Sequence, residues 1–190
     1  MKVNRIVPAS LIALALAVPL ALAARAGGDA LPSTPSAEQV TTAKLVYGLL
    51  SDSRYAYRPR PLDATMPGEI FDKYLEALDG SKLFFTAQDV ARFEVYKAGM
   101  GESVRNGNLE PAYTIFALYQ QRVADRVAYA RGLLTQDIYD FTGTDRWYYD
   151  RKDAAWAADK AALDQLWKQS VRNDWLRLKL AGKKPDEIRR

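Results

Sequence analysis

Helical periodicity runs through the chain from Ser36 onward, and it is the feature that most limits the fold. Apolar residues recur three or four positions apart in successive segments, as on the buried face of an amphipathic helix. Two of these segments begin with residue pairs that suit helix N-termini, namely Ser36 with Gln39 and Thr86 with Asp89. No segment alternates apolar and polar residues as a half-buried strand would. We therefore predict an all-α, multi-helix fold.

Proline and glycine mark the ends of the predicted helices. Pro67 and Pro111 suit a first helical turn, where the missing N–H group costs nothing, and Gly182 suits the position just past a helix end. The helix that follows Pro111 is predicted to be the longest and to run to about Thr135. Its predicted inward residues are Phe116, Val123, Val127, Ala130 and Leu134.

Two arginines lie four residues apart on this longest helix. Arg122 and Arg126 stand on either side of Asp125 in the sequence. Such a group is typical of a solvated helix face with local ion pairs. We predict that role for both arginines.

The first 23 residues are typical of a bacterial secretory signal peptide. A cationic start precedes an apolar stretch from Ile6 to Leu20 and the small-x-small sequence Ala21-Leu22-Ala23. We predict cleavage after Ala23, or else after Ala26, followed by a flexible linker over residues 24–36. An uncleaved transmembrane anchor is the alternative, which two prolines within the stretch disfavour. The predicted location is the periplasm of a Gram-negative cell.

Composition excludes several kinds of site. The chain has no cysteine and no histidine, so it can form neither a disulfide nor a catalytic or zinc site that needs those residues. Its net charge of +4 comes from 27 basic and 23 acidic residues that interleave along the chain. Because no basic block forms, nucleic-acid binding is disfavoured. We predict no cofactor and no metal site.

An irregular, aromatic-rich segment occupies residues 137–156. Tyrosine, tryptophan and arginine are the usual anchors of protein interfaces, so Trp147, Tyr148 and Tyr149 are candidates for an interaction surface. The other interpretation is a loop that fixes itself to the helices by burying its rings. Burial is favoured, and both interpretations remain open at this point.

Four stretches, taken in order, resemble the N-terminal helical domain of the periplasmic tail-specific (carboxy-terminal processing) proteases. They are Glu69–Asp79, Lys82–Val90, Asp140–Asp145 and the run from Leu163 to Lys183 that is rich in leucine. The resemblance covers about residues 37–190, and a signal peptide fits it. It implies a chain made of a signal peptide (1–23), a linker (24–36) and one helical domain (37–190).

Members of that family are longer than this chain. In them the helical domain is followed by a PDZ domain, which grips an apolar C-terminal tail, and by a catalytic domain with a serine and lysine dyad. Neither is expected here. Pro185 indicates that a further helix begins shortly before Arg190, so we expect the chain to be the front part of a longer protein.

No catalytic residue is assigned. A dyad lysine must be desolvated beside its serine, whereas Ser81 and Lys82 are adjacent in a predicted turn between helices. A hydrolase that uses paired carboxylates such as Asp140 and Asp145 is a weaker interpretation. Aspartate is frequent in this half of the chain, so chance proximity is ordinary.

Two functional hypotheses follow from the sequence. The first is the non-catalytic N-terminal helical domain of a tail-specific serine protease, present as a truncated chain or fragment. The resemblance implies roles in enclosing substrate polypeptides and in docking partners, namely the remaining protease domains and a helical-repeat lipoprotein adaptor. The alternative is a stand-alone periplasmic helical adaptor or modulator. Neither involves nucleic acid, nor a membrane anchor after cleavage.

Overall fold

The computed structural model describes residues 32–59, 66–136, 139–144 and 146–189. Within these ranges it is helical, and its helices are α1 Ala37–Ser51, α2 Met66–Asp79, α3 Ala87–Lys97, α4 Met100–Asn106, α5 Glu110–Leu134, α6 Lys160–Leu180 and α7 Pro185–Ile188. The described ranges contain no strand, only an isolated parallel bridge between Thr86 and Ala157. The all-α prediction is confirmed for them.

The predicted signal peptide and its cleavage site at Ala23 lie outside the described residues. Among the residues that are described, no helix is long and apolar enough to cross a membrane.

Local capping sets the helix ends that the sequence predicts. Ser36 Oγ accepts a hydrogen bond from the Gln39 N–H at 3.2 Å, and Gln39 Oε1 accepts from the Ser36 N–H at 2.7 Å. Past the end of α6, Gly182 has a φ of 84°, a left-handed conformation that favours glycine. The Lys183 N–H donates to the Leu178 carbonyl at 3.1 Å, which completes a Schellman motif. The predicted start of α1 and end of α6 are confirmed.

The helical pattern that begins at Thr86 is divided between two helices. The Thr86 N–H donates to Asp89 Oδ2 at 3.1 Å and the Asp89 N–H donates to Thr86 Oγ1 at 3.2 Å, so the predicted cap opens α3. The helix ends at Lys97, and α4 starts anew with Gly99 at its N-cap.

The chain folds as two compact units. Of the described residues, the first unit comprises those up to Ala77 together with Val95–Thr114, and the second comprises Leu78–Glu94 together with those from Ile115 onward. In the first unit α1 packs against α4, and the Tyr74 hydroxyl donates to the Ala112 carbonyl at 2.9 Å. Its buried apolar residues are Ala43, Phe71, Leu75, Met100 and Leu109.

A glycine in the first unit gives a direct test of this packing. Gly107 ends α4 with a φ of 73°, and a Cβ there would lie 2.8 Å from Val40 Cγ1 and 2.5 Å from Lys44 Cε. We expect Gly107→Ala to lower the free energy of unfolding by about 2 kcal/mol or more, because the backbone is strained and α1 must shift. Gly48→Ala in α1 is the control, since nothing lies within 4 Å of its added Cβ.

Urea-induced unfolding measures both changes. Gly48→Ala is expected to leave stability unchanged or to raise it by up to about 1 kcal/mol, through helix propensity. Equal effects of the two substitutions would show that α1 and α4 do not pack as described.

Aromatic rings build the interior of the second unit. Phe85 is fully buried, and its ring centroid lies 5.4 Å from that of Phe93, 5.8 Å from that of Tyr119 and 6.1 Å from that of Trp156. The Trp167 indole N–H donates to the Leu83 carbonyl at 2.5 Å. Trp156 is thus part of the packed interior, as the burial interpretation of the aromatic segment predicts.

The inward face of α5 matches the predicted one only in part, because Phe116 is buried as predicted. Val127 is 40% exposed, so its predicted burial is wrong. A neighbouring stripe with spacings of three, four and seven residues also turns inward, and it includes two arginines. This stripe comprises Ile115, Tyr119, Arg122, Arg126 and Leu133.

Candidate functional site

Charged side chains of α3, α5 and α6 surround a cavity of about 170 Å³ within the second unit. Its charged lining residues are Asp89, Arg92, Arg122, Asp125, Arg126 and Lys160. We call this set, together with Asp164, the charged cluster. Because such groups are costly to bury unless they are paired, their hydrogen bonds determine what the cluster can do.

Asp89 is the most enclosed member of the charged cluster, with 1% of its surface exposed. Its carboxylate accepts two hydrogen bonds from the Arg122 guanidinium, at 3.0 Å from Nε and 2.8 Å from Nη2. The Thr86 hydroxyl adds a third at 3.0 Å. Burial works against ionisation, but the hydrogen bonds from Arg122 and Thr86 outweigh it and lower the pKa of Asp89. The carboxylate is therefore held in its charged form.

Arg126 contradicts the prediction of a solvated helix face. It is 3% exposed, its Nη1 donates to Asp164 Oδ1, and its buried Nε has no hydrogen-bond partner among the described residues. Lys160 Nζ also donates to Asp164, at 2.7 Å. Arg122 does make the predicted local pair with Asp125, at 3.6 Å, but its stronger partner is Asp89. Both arginines occupy stripe positions of α5, so they face the interior and need partners from other helices.

The titration of Asp89 gives a prediction about acid stability. The pKa of Asp89 in the folded state lies below the ordinary 3.8. Its ionised carboxylate therefore stabilises the fold at pH values above 3.8. This contribution begins to fall below pH 3.8, where the unfolded chain takes up the proton, and it is gone once the pH lies below the lowered pKa of the folded state. We expect Asp89→Asn to cost about 1–3 kcal/mol in free energy of unfolding at pH 6 and clearly less at pH 3.

Urea unfolding at the two pH values measures this difference. Asp125→Asn is the matched control, because its side chain is 49% exposed and pairs with the same arginine at 3.6 Å. We expect it to have a small effect at pH 6. An Asp89→Asn penalty that is the same at pH 3 as at pH 6 would contradict the assigned charge state.

The adjacent Ser81 and Lys82 lie in the turn after α2, as predicted. Lys82 Nζ donates to the Lys152 carbonyl and lies 5.7 Å from the centroid of the Trp156 ring. The Ser81 carbonyl accepts from Arg151 Nε at 3.1 Å. The ammonium group of Lys82 therefore anchors the aromatic segment to this turn, a structural role.

The structure separates the aromatic segment into buried and exposed rings. Tyr139 stacks on Trp175 with 3.8 Å between ring centroids, whereas Tyr148 is 65% and Tyr149 68% exposed. Trp147 is half-buried, and its ring centroid lies 5.8 Å from the Arg151 guanidinium carbon. The Asn173 side-chain amide donates to the Tyr149 hydroxyl at 2.8 Å. The two interpretations therefore apply to different rings, and the interaction role of Trp147, Tyr148 and Tyr149 stays a prediction.

Of the two carboxylates in the weaker hydrolase interpretation, only Asp140 lies among the described residues. Asp140 is exposed, and its carboxylate accepts from the Thr142 N–H at 2.9 Å, which lowers the pKa of Asp140 and closes a local turn. Asp145 lies outside the described residues.

Fold and site together define a helical domain whose second unit contains buried arginine–aspartate pairs and carries exposed aromatic rings. Comparison with known proteins assigns its family. A family model described as "Tail specific protease N-terminal domain" matches residues 49–190. The chain belongs to this family, as the resemblance predicted.

A curated relative agrees with that assignment. Over 134 residues the chain is 33% identical to the tail-specific protease of Haemophilus influenzae. The match covers 70% of this chain and 19% of the relative, so this chain aligns with about a fifth of the relative's length.

Proposed function

We propose that this chain is the non-catalytic N-terminal domain of a periplasmic tail-specific serine protease, present as a truncated chain or fragment. The observation that carries the proposal is the family match over residues 49–190, which includes every helix from α2 to α7. The matched family is that of the N-terminal domain. Catalysis is accordingly assigned to other domains of the protease. The family match does not favour the alternative, a stand-alone adaptor or modulator.

The same proposal includes the organisation of the chain. Residues 1–23 serve as a signal peptide cleaved at Ala23, residues 24–36 as a linker, and residues 37–190 as the helical domain. The mature domain then acts in the periplasm without a membrane anchor.

The proposed role is to help enclose substrate polypeptides and to dock protein partners, which include the remaining protease domains. The exposed aromatic rings support it. Tyr148 and Tyr149 present most of their surface to solvent, and Asn173 fixes the position of Tyr149. An exposed ring that is already held in place, as that of Tyr149 is, loses little conformational freedom on binding, which favours its use as an interface anchor.

Substitution at this surface is expected to weaken partner capture. Tyr148→Ser removes a large exposed ring and should reduce the amount of any partner recovered with the tagged chain from periplasm about tenfold or more, as loss of an interface anchor does. Tyr57→Ser is the matched control, because Tyr57 is 98% exposed in the first unit. Equal recovery by both variants would remove Trp147, Tyr148 and Tyr149 as the docking surface.

The absence of activity in this chain is tested by hydrolysis. The purified chain is incubated with a peptide that ends in apolar residues, and the products are followed by mass spectrometry. We expect no cleavage above the enzyme-free blank. Cleavage that disappears when one serine, such as Ser81, is replaced by alanine would overturn the non-catalytic assignment.

A further inference from the structure

A second concave site in the second unit lies away from the charged cluster. It is an open groove of about 290 Å³ formed by Tyr139, Phe141, the last turns of α6 and the segment through α7. We call it the aromatic–cationic groove. The side chains that define it are Tyr139, Phe141, Trp175, Lys179, Lys183 and Arg189.

The floor of the aromatic–cationic groove is apolar and firmly packed. Tyr139 and Trp175 are stacked with an interplanar angle of 9°, and Trp175 is only 6% exposed. The Tyr139 hydroxyl donates to the Leu133 carbonyl at 3.1 Å, which fixes the outer ring of the stack. Ile188 of α7 is also buried here. A floor that is already ordered pays little conformational entropy when an apolar group binds.

The rim of the groove is cationic. Lys179 Nζ lies 5.7 Å from the centroid of the Phe141 ring. The Arg189 guanidinium carbon lies 5.4 Å from the centroid of the Trp175 ring. Lys179 has no carboxylate partner among the described residues. Lys183 and Arg189 do have acidic neighbours, but these pairs are long, at 3.9 Å and 3.6 Å, and are exposed to water. Such surface pairs are weak, so the rim cations can exchange them for a ligand carboxylate.

We infer that the aromatic–cationic groove binds an acidic peptide segment that presents one large apolar side chain between carboxylates. The volume is at the lower limit for a ligand site, so it suits one side chain. The aromatic floor takes that side chain, and the three cations complement the flanking carboxylates. This binding activity goes beyond the proposed function and does not depend on it.

The test is a titration of the ¹⁵N-labelled chain, followed by nuclear magnetic resonance. The probe is acetyl-Glu-Phe-Glu-amide, and the comparison peptides are acetyl-Gln-Phe-Gln-amide and acetyl-Glu-Gly-Glu-amide. We expect saturable shifts at the Trp175 indole and at the Lys179 amide. Each comparison peptide should bind about tenfold more weakly, because it lacks either the charges or the ring.

A charge reversal on the rim gives the matched pair of variants. Lys179→Glu should weaken binding of the probe about tenfold, whereas Arg177→Glu makes the same charge change two residues away, outside the groove, and should weaken it less than about twofold. Both side chains are exposed, so both variants should fold, which circular dichroism checks. Phe141→Ala provides a second variant that acts on the apolar contact.

Three results would overturn the inference. These are equal affinity for the three peptides, equal losses from Lys179→Glu and Arg177→Glu, and binding of octanoate at least as tight as that of the probe. The last result would indicate a site for lipid-like anions in place of a peptide.

Discussion

Replacing Asp79 by alanine is expected to lower the free energy of unfolding by about 3–5 kcal/mol. Asp79 is 2% exposed, and its carboxylate accepts the backbone N–H groups of Leu83, Phe84 and Phe85 at 2.8, 2.9 and 2.8 Å. Alanine leaves these donors without their acceptor at the point where the chain turns from α2 toward α3. Burial of the carboxylate raises the pKa of Asp79, so removing it also relieves a desolvation penalty, which keeps the expected loss below the sum of three hydrogen bonds.

Equilibrium unfolding in urea measures this loss. Asp72→Ala is the matched control, because Asp72 lies on the same helix, is 62% exposed and pairs with Lys97 at 2.9 Å. We expect the control to cost less than about 1 kcal/mol. If Asp79→Ala destabilised the chain no more than Asp72→Ala does, the carboxylate would not organise this turn.

Phe85→Ala is expected to cost a similar amount, about 3–5 kcal/mol. The ring is fully buried among Phe93, Tyr119 and Trp156, so its removal opens a cavity that the neighbouring rings cannot fill without leaving their positions. Because Trp156 is one of these neighbours, tryptophan fluorescence should also change in the folded state.

The exposed Tyr148 supplies the control for Phe85. Tyr148→Ala also removes an aromatic ring from the second unit, but the ring is 65% exposed, and we expect a change below about 0.5 kcal/mol. Losses of equal size at the two positions would contradict the aromatic interior of the second unit.

The features that the sequence predicts well are local ones. The caps at Ser36 and Thr86 and the glycine stop at Gly182 depend on residues within a few positions of each other, so their chemistry can be recognised without knowledge of the fold. Family membership was also predictable, because the matching stretches appear in order over most of the chain.

The charged cluster could not be predicted in the same way. Arg122 and Asp89 are 33 residues apart, and Arg126 and Asp164 are 38 apart, so neither pair has a signature in the sequence. Apolar periodicity also treats arginine as a surface residue, which left Arg122 and Arg126 out of the predicted inward face of α5. The spacing of Ile115, Arg122 and Arg126 places them on one helix face. Phe116, Val123 and Val127 have the same spacing, so the sequence does not decide between the two faces.

The aromatic segment shows the same limit. Composition cannot tell which rings are buried, because the choice depends on where distant partners lie. Tyr139 is held by Trp175 of α6 and Trp156 by Phe85, whereas Tyr148 and Tyr149 remain largely exposed. Once the helices are in place, the same segment supplies part of the packed interior, the floor of the aromatic–cationic groove and an exposed surface.

The proposal that this chain is one domain of a larger protease is tested most directly by the size of the native product. An antibody raised against residues 37–190 is used to immunoblot extracts of the source cells. We expect a band several times larger than the chain itself, since the match to the curated relative covers only 19% of that protein. A band at the size of the 190-residue chain, with no larger species, would contradict the proposal.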